Sequence, residues 1–211
     1  MEKVGFIGFG ELGKQIFNRF LGKGTNFEEK VFIFDDDLFK NRIDAFPFND
    51  FLEEEYKELS FVVSIGYKHL GLKNSIIGKL LAHQRTINSF IHPSSFISND
   101  FEVNAGIIIY PMCTIDVGVS IGSGTLLNNA VTVSHDSKIG SCCYLSPGVI
   151  ISGRVTIGEN CFIGAGCTIA DNITIGNNVT IGIGTVVVDS IPDNMYAIGN
   201  PMRIVNHLKL R

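Results

Sequence analysis

The chain has 211 residues, a formal net charge of −4 and a sequence pI near 5.7, so it carries no basic field with which to displace counterions from a nucleic acid. Apolar residues make up 45 % of it, yet no uninterrupted apolar run approaches the roughly 20 residues of a membrane-spanning helix. The opening Val4-Gly5-Phe6-Ile7-Gly8-Phe9-Gly10 superficially mimics a signal peptide, but Glu11 cuts it short and no A-x-A cleavage site follows, which predicts a cytoplasmic protein.

In chain order, Val4–Phe9 reads as a buried strand, Glu11–Leu21 as an amphipathic helix and Val31–Phe34 as a second strand. Phe61–Ile65 reads as a third strand and Leu70–Ala82 as a second helix, with Thr86–Ile91 leading onward. Alternating strands and helices over 1–88 predict a small Rossmann-like α/β domain. The first turn reads Gly8-Phe9-Gly10-Glu11-Leu12-Gly13, a G-x-G-x-x-G, and Asp35-Asp36 follow at the end of the second strand. Glycines there let a backbone approach phosphates, and a carboxylate takes a ribose hydroxyl. The same loop suits NAD(P), the diphosphate of a nucleotide-sugar, or no ligand at all, as a tight strand–helix turn. A nucleotide-sugar is favoured, because only half of a doubly wound sheet is present and no dehydrogenase-type substrate domain follows.

Composition shifts near residue 90, from Phe, Lys and Glu before it to Gly, Ile, Val, Asn, Ser and Thr after it, which predicts a second domain over 89–211 with a C-terminal tail. Every sixth residue from Ile91 to Val187, 17 positions, is aliphatic, a run with a chance probability of about one in a million at this composition. Four residues after each lies a column of small or β-branched side chains, among them Cys113, Thr125, Val131, Cys143, Cys161 and Cys167. The position just after the aliphatic column is often Gly, Asn or Asp, as at Gly122, Gly140, Gly158 and Gly176, which reads as a corner tolerating positive φ. One hexapeptide is then a short strand plus a corner, and 18 residues close a triangular coil. Four of the five cysteines fall in the inward column and Cys142 adjoins one, so they read as structural thiols in a reducing compartment.

His135 is the only histidine within the coils proper; His92 stands at their start, and His69, His83 and His207 lie outside. Eighteen residues on, Gly153 stacks beside it. A base next to an unhindered backbone N–H is what acyl transfer needs, one taking the proton and the other stabilising the oxyanion. Asp136 adjoins the imidazole, though only a corner would let it reach.

Three stretches then carry a resemblance: Gly8–Gly13 with Asp35-Asp36; Asn128-Asn129-Ala130-Val131-Thr132-Val133-Ser134-His135-Asp136 followed by Ile139-Gly140; and Tyr144-Leu145-Ser146-Pro147-Gly148 with Gly153–Gly158. With the terminal Gly199-Asn200-Pro201-Met202-Arg203, the chain resembles the hexapeptide-repeat sugar O-/N-acyltransferases, which include sialic-acid O-acetyltransferases and the bacillosamine-pathway N-acetyltransferase. The resemblance implies a left-handed parallel β-helix and a homotrimer with active sites between subunits. It implies an acetyl-CoA-dependent acetyltransferase acting on a nucleotide-linked amino sugar such as a UDP- or dTDP-4-amino-4,6-dideoxy sugar. His135 would be the base and Asp136 its accompanying acid. Gly8, Gly10, Gly13, Asp35, Asp36 and Asn128 would face the sugar substrate, and Tyr144, Gly153, Gly199, Pro201 and Arg203 would face acetyl-CoA. Ser134 stands where relatives often carry Glu, and Tyr144 where some carry a second histidine. The alternatives are an O-acetyltransferase of sialic acid or another sugar, or a purely structural β-helix. A γ-class carbonic anhydrase needs three histidines on zinc, and one coil histidine does not supply them, so no metal is expected.

Overall fold

The computed structural model describes residues 3–21, 31–41 and 45–205. His207 and the end of the C-terminal tail lie outside them. The chain divides into two compact units, Met1–Ser89 and Phe90–Arg211.

The first unit is built on a four-stranded parallel sheet of β1 (Val4–Ile7), β2 (Val31–Phe34), β3 (Ser60–Val63) and β4 (Thr86–Ile87), in the order β2-β1-β3-β4. These strands are short apolar runs rather than alternating ones because the central pair is buried on both faces: Phe6, Ile7, Phe61, Val62 and Val63 are all buried. Helix α1 (Glu11–Ile16) continues as a π-helical turn over Phe17–Leu21, α2 (Asp36–Lys40) follows β2, and α3 (Leu70–Ala82) follows β3. The predicted third strand starts one residue early and stops at Val63, since Ser64 turns its hydroxyl back to the carbonyls of Ile7 and Gly8. Thr86–Ile91 is not one lead-in segment. Thr86–Ile87 completes the first sheet beside β3, and Phe90–Ile91 opens the coil.

The second unit is a left-handed parallel β-helix of about six turns. From Phe90–Ile91 to Val186–Val187 its strands are two residues long, and each ends on a member of the aliphatic column. They stack into three parallel faces: a first face containing Leu126–Leu127 and Tyr144–Leu145, a second containing Thr132–Val133 and Ile150–Ile151, and a third containing Lys138–Ile139 and Thr156–Ile157. The interior is one apolar column in which Ile115, Leu127, Val133, Leu145 and Ile151 are fully buried. Each such side chain contributes roughly 1.5–3 kcal/mol before chain entropy is counted.

Two expectations from the repeat are corrected. Val103 belongs to the aliphatic column but is 50 % exposed, because the first coil forms no strand there; the Asn104 side-chain amide instead donates to the Ile121 carbonyl at 2.7 Å. Positive φ does not fall just after the aliphatic column either. It recurs three residues after it, at Met112, Ala130, Asp136, Cys142, Arg154 and Asn160 among others, with φ of 54–63°. The glycines just after the column answer a different need: a Cβ on Gly140 would lie 2.6 Å from Gly158 carbonyl carbon, and one on Gly158 would lie 2.7 Å from the Asn177 amide nitrogen. They are glycine because stacked coils approach there, not because the backbone turns left-handed.

The five cysteines are all buried, and none of them forms a disulfide. Four do more than fill space: the thiols of Cys113, Cys143, Cys161 and Cys167 each donate to a carbonyl 15 residues on, at 2.9–3.1 Å. Thr125 and Ser137 occupy the same column and use their hydroxyls in the same way, at 2.8 and 2.9 Å. The column therefore selects small side chains that also satisfy a corner carbonyl.

Candidate active site

His135 and Asp136 form the corner between the strands Thr132–Val133 and Lys138–Ile139, on the second and third faces. Asp136 takes φ 59°, a left-handed value that Asp tolerates better than most residues. That turn brings its side chain back to its neighbour, so Oδ2 lies 3.0 Å from His135 Nδ1. On an extended strand the two would point apart; the corner is what joins them. Both are partly open to solvent, at 42 % and 62 % of side-chain surface.

The next coil places Gly153 against the imidazole. A Cβ built on Gly153 would lie 2.5 Å from His135 Nε2, so the ring occupies the space that any side chain there would fill. The corner is fastened by Arg154 N–H donating to the His135 carbonyl at 2.9 Å. Ser137, just past Asp136, points inward, donates to the Ser152 carbonyl and accepts the Val155 amide at 3.1 Å. Sequence reasoning passed over Ser137; the signal was a hydroxyl in the inward column, as at Thr125. Among the described residues the Gly153 amide has no acceptor.

Asn128 and Tyr144 are held together elsewhere. The Asn128 side-chain amide donates to the Tyr144 hydroxyl at 3.1 Å, and the Tyr144 ring stacks on Phe162 with centroids 5.8 Å apart. They lie on the first face and the corner that follows it, one corner of the triangle away from His135. Gly199, at φ +97°, turns Tyr196–Ile198 into the antiparallel strand Arg203–Val205, which extends that same first face, and Arg203 is exposed. Within one chain, then, His135, Asp136 and Gly153 form one group and Asn128 and Tyr144 another, while Gly199, Pro201 and Arg203 lie at the far end of the first face, with Arg203 four strands along the sheet from Tyr144.

In the first unit a cavity of about 520 Å³ opens at the carboxyl ends of β1, β2 and β3. This is where the sheet order reverses, the usual ligand crevice of an open α/β sheet. Gly8, Gly10, Asp35 and Asp36 line it, joined by Ser64 and Gly66 just past β3, Lys40 at the end of α2 and His69 just before α3, which the sequence reading did not single out. Gly13 is placed differently: a Cβ there would meet Ser64 Oγ at 3.0 Å and the Gly8 carbonyl at 3.1 Å, so it lets helix and strand pack and does not line the cavity. Asp35 has structural partners as well, since Oδ2 accepts the Phe9 amide at 2.9 Å and Oδ1 caps α2 through Asp37 and Leu38 N–H at 3.1 Å each. Asp36 Oδ1 accepts the Phe48 amide at 2.9 Å. Both carboxylates thus fix the rim of the cavity.

No side chain near His135 is set up as a covalent nucleophile among the described residues. The thiols of Cys113, Cys143 and Cys167 point into the coil, and burial pushes each above the ordinary thiol range. No group of three His, Cys, Asp or Glu side chains among the described residues is arranged to hold a metal ion, and no described helix is long and apolar enough to cross a membrane.

The bacterial transferase hexapeptide family (six repeats) matches residues 154–189. The chain is similar to the acetyltransferase domain of PglB from Neisseria gonorrhoeae FA1090, at 26 % identity and a TM-score of 0.84, over 97 % of this chain and 100 % of that one. It is similar to a variant of perosamine N-acetyltransferase from Caulobacter crescentus, in complex with CoA and GDP-perosamine, at 27 % identity and a TM-score of 0.85, over 98 % of each chain. WeeI from Acinetobacter baumannii AYE shares the fold at 21 % identity and a TM-score of 0.74, over 97 % of this chain and 100 % of that one. No curated protein sequence matches the chain. The likeness to the gonococcal and Caulobacter acetyltransferases runs through both units from end to end, and residues 154–189 carry the hexapeptide repeat of bacterial transferases, so the chain is similar to sugar acyltransferases built on that repeat.

Proposed function

We propose that the protein transfers the acetyl group of acetyl-CoA to the amine of a nucleotide-linked amino sugar, with His135 as general base and direct transfer in a ternary complex. The observation that carries this reading is the corner in which the imidazole lies over Gly153 with Asp136 on its other nitrogen. The neutral sugar amine attacks the thioester carbonyl, the C–N bond forms as the C–S bond breaks, and Nε2 collects the amine proton and returns it to the departing CoA thiolate. The Gly153 N–H is the donor for the oxyanion. The gonococcal domain binds acetyl coenzyme A and the perosamine enzyme binds CoA with GDP-perosamine, which supports both co-substrates here. The first-unit cavity, rimmed by Gly8, Gly10, Asp35 and Asp36, is the place for the nucleotide. Because Asn128 and Tyr144 sit a corner away from His135, a homotrimer that pairs one chain's histidine corner with its neighbour's first face completes the site. Five reduced thiols fit a cytoplasmic setting.

The test is CoA release with UDP-, dTDP- and GDP-linked amino sugars and with free sialic acid. Turnover with one amino-sugar nucleotide is expected. Turnover with sialic acid alone would make the enzyme an O-acetyltransferase, and no acetyl-CoA binding by calorimetry would leave only a structural β-helix.

A further inference from the structure

The corner bearing His135 and Asp136 is packed between two others, Val117–Gly118 in the preceding coil and Gly153–Arg154 in the following one. Gly118 lies directly beneath Asp136, with φ +70°. A Cβ built on it would lie 2.6 Å from Asp136 Oδ1, while the other carboxylate oxygen is the one 3.0 Å from His135 Nδ1. Any side chain at 118 therefore collides with the carboxylate in the orientation that reaches the imidazole. Gly118 is itself fixed, since its amide donates to Asp100 Oδ2 at 2.7 Å and the Ser98 hydroxyl donates to Asp100 Oδ1. Other charges face the corner from both sides. Asp116 and Asp100 belong to earlier coils, Asp116 accepting the Val117 amide. Arg154 and Asp171 lie on the other side, with the Arg154 guanidinium donating to Asn172 at 2.9 Å and standing 3.9 Å from Asp171.

We propose that Gly118 is a positioning residue for His135: its bare Cα surface is the seat of the Asp136 carboxylate, which holds the imidazole proton on Nδ1 and leaves Nε2 as the acceptor over Gly153. The kinetic consequence rests on His135 being the base, but the tautomer does not. A neutral imidazole donating from Nδ1 to a carboxylate is held in one tautomer, and without that partner both become populated.

Nitrogen-15 NMR of the imidazole in the full-length protein, at a pH where the ring is neutral, reads this directly; His135→Ala assigns the signal. The wild type shows the Nδ1–H tautomer alone. Gly118→Ala, and Gly118→Asn with a residue type that this coil already uses at positive φ, both populate the second tautomer and lower kcat more than they raise either KM. Gly166→Ala is the control, for Gly166 has φ +67° with nothing within 4 Å of its missing Cβ, so it carries the same backbone cost without the collision. In an Asp136→Ala background the change at 118 has no further effect on the tautomer. If Gly118→Ala does not fold alone, Asp136→Ala restores folding by removing the oxygen that the new methyl strikes. A single unaltered tautomer in both folded Gly118 variants, a tautomer change that persists without Asp136, or a fold that Asp136→Ala does not restore, overturns the proposal. An inactive wild type with the single tautomer would instead retire the acetyltransfer reading and leave this one standing.

Discussion

At His135 the two ring nitrogens have different neighbours, a carboxylate oxygen on Nδ1 and the bare face of Gly153 beneath Nε2, and that asymmetry sets what substitution does. His135→Ala removes the proton acceptor and should lower kcat by roughly 10²–10⁴-fold, with acetyl-CoA affinity nearly unchanged. Asp136→Asn keeps the base and disturbs only its orientation, so its cost should be smaller. Initial-rate kinetics with both co-substrates varied measure this and give intersecting double-reciprocal plots. Parallel plots, or an acetylated peptide found by mass spectrometry, would mean an acetyl-enzyme instead. The pairing of His135 with Gly153 was legible in the sequence because one coil is 18 residues, a spacing that survives into three dimensions unchanged. The seat at Gly118 was not. Its partner is the side chain of Asp136, whose direction depends on a left-handed φ that the hexapeptide pattern had assigned to the wrong column.

The hexapeptide is the element, and its inward second column does two jobs at once, filling the interior and meeting a carbonyl at each corner. Ser137 shows the second job most plainly, because it both donates to the Ser152 carbonyl and accepts the Val155 amide while fully buried. Ser137→Ala keeps the size class of the column but leaves two buried backbone groups without that partner. A loss of about 1–3 kcal/mol in unfolding free energy is expected, read by denaturant titration, and a Ser137→Cys variant should recover part of it, as cysteine serves elsewhere in the column. A neutral Ser137→Ala would mean that the hydroxyl is incidental. Periodicity revealed this element because each repeat needs the same apolar position. It could not reveal Val103, whose strand is missing in the first coil, nor α2, five residues long and set by the Asp35 cap rather than by any apolar period.

On the scale of the molecule, the β-helix residues that the family resemblance assigns to one site are divided between two regions of one chain's β-helix. His135, Asp136 and Gly153 occupy the corner between the second and third faces, while Asn128, Tyr144 and the turn at Gly199 belong to the first face. A one-dimensional motif running from Asn128 to His135 conceals this, since seven residues are enough to pass a corner. If the site needs both groups, copies must supply them to one another, and a closed ring of three does so with each interface used once. Sedimentation should give three times the 23.1 kDa chain mass. Complementation is the sharper measurement. His135→Ala and Asn128→Ala chains are each expected to be poorly active alone, but in a mixed trimer some interfaces bring an intact His135 from one chain against an intact Asn128 from the next. Random exchange at equal amounts makes about a quarter of the interfaces intact, and activity should recover to about that share of the wild type. Exchange confirmed by native mass spectrometry without recovery would place both residues in the service of the same chain, and a monomer in sedimentation would remove the shared site altogether.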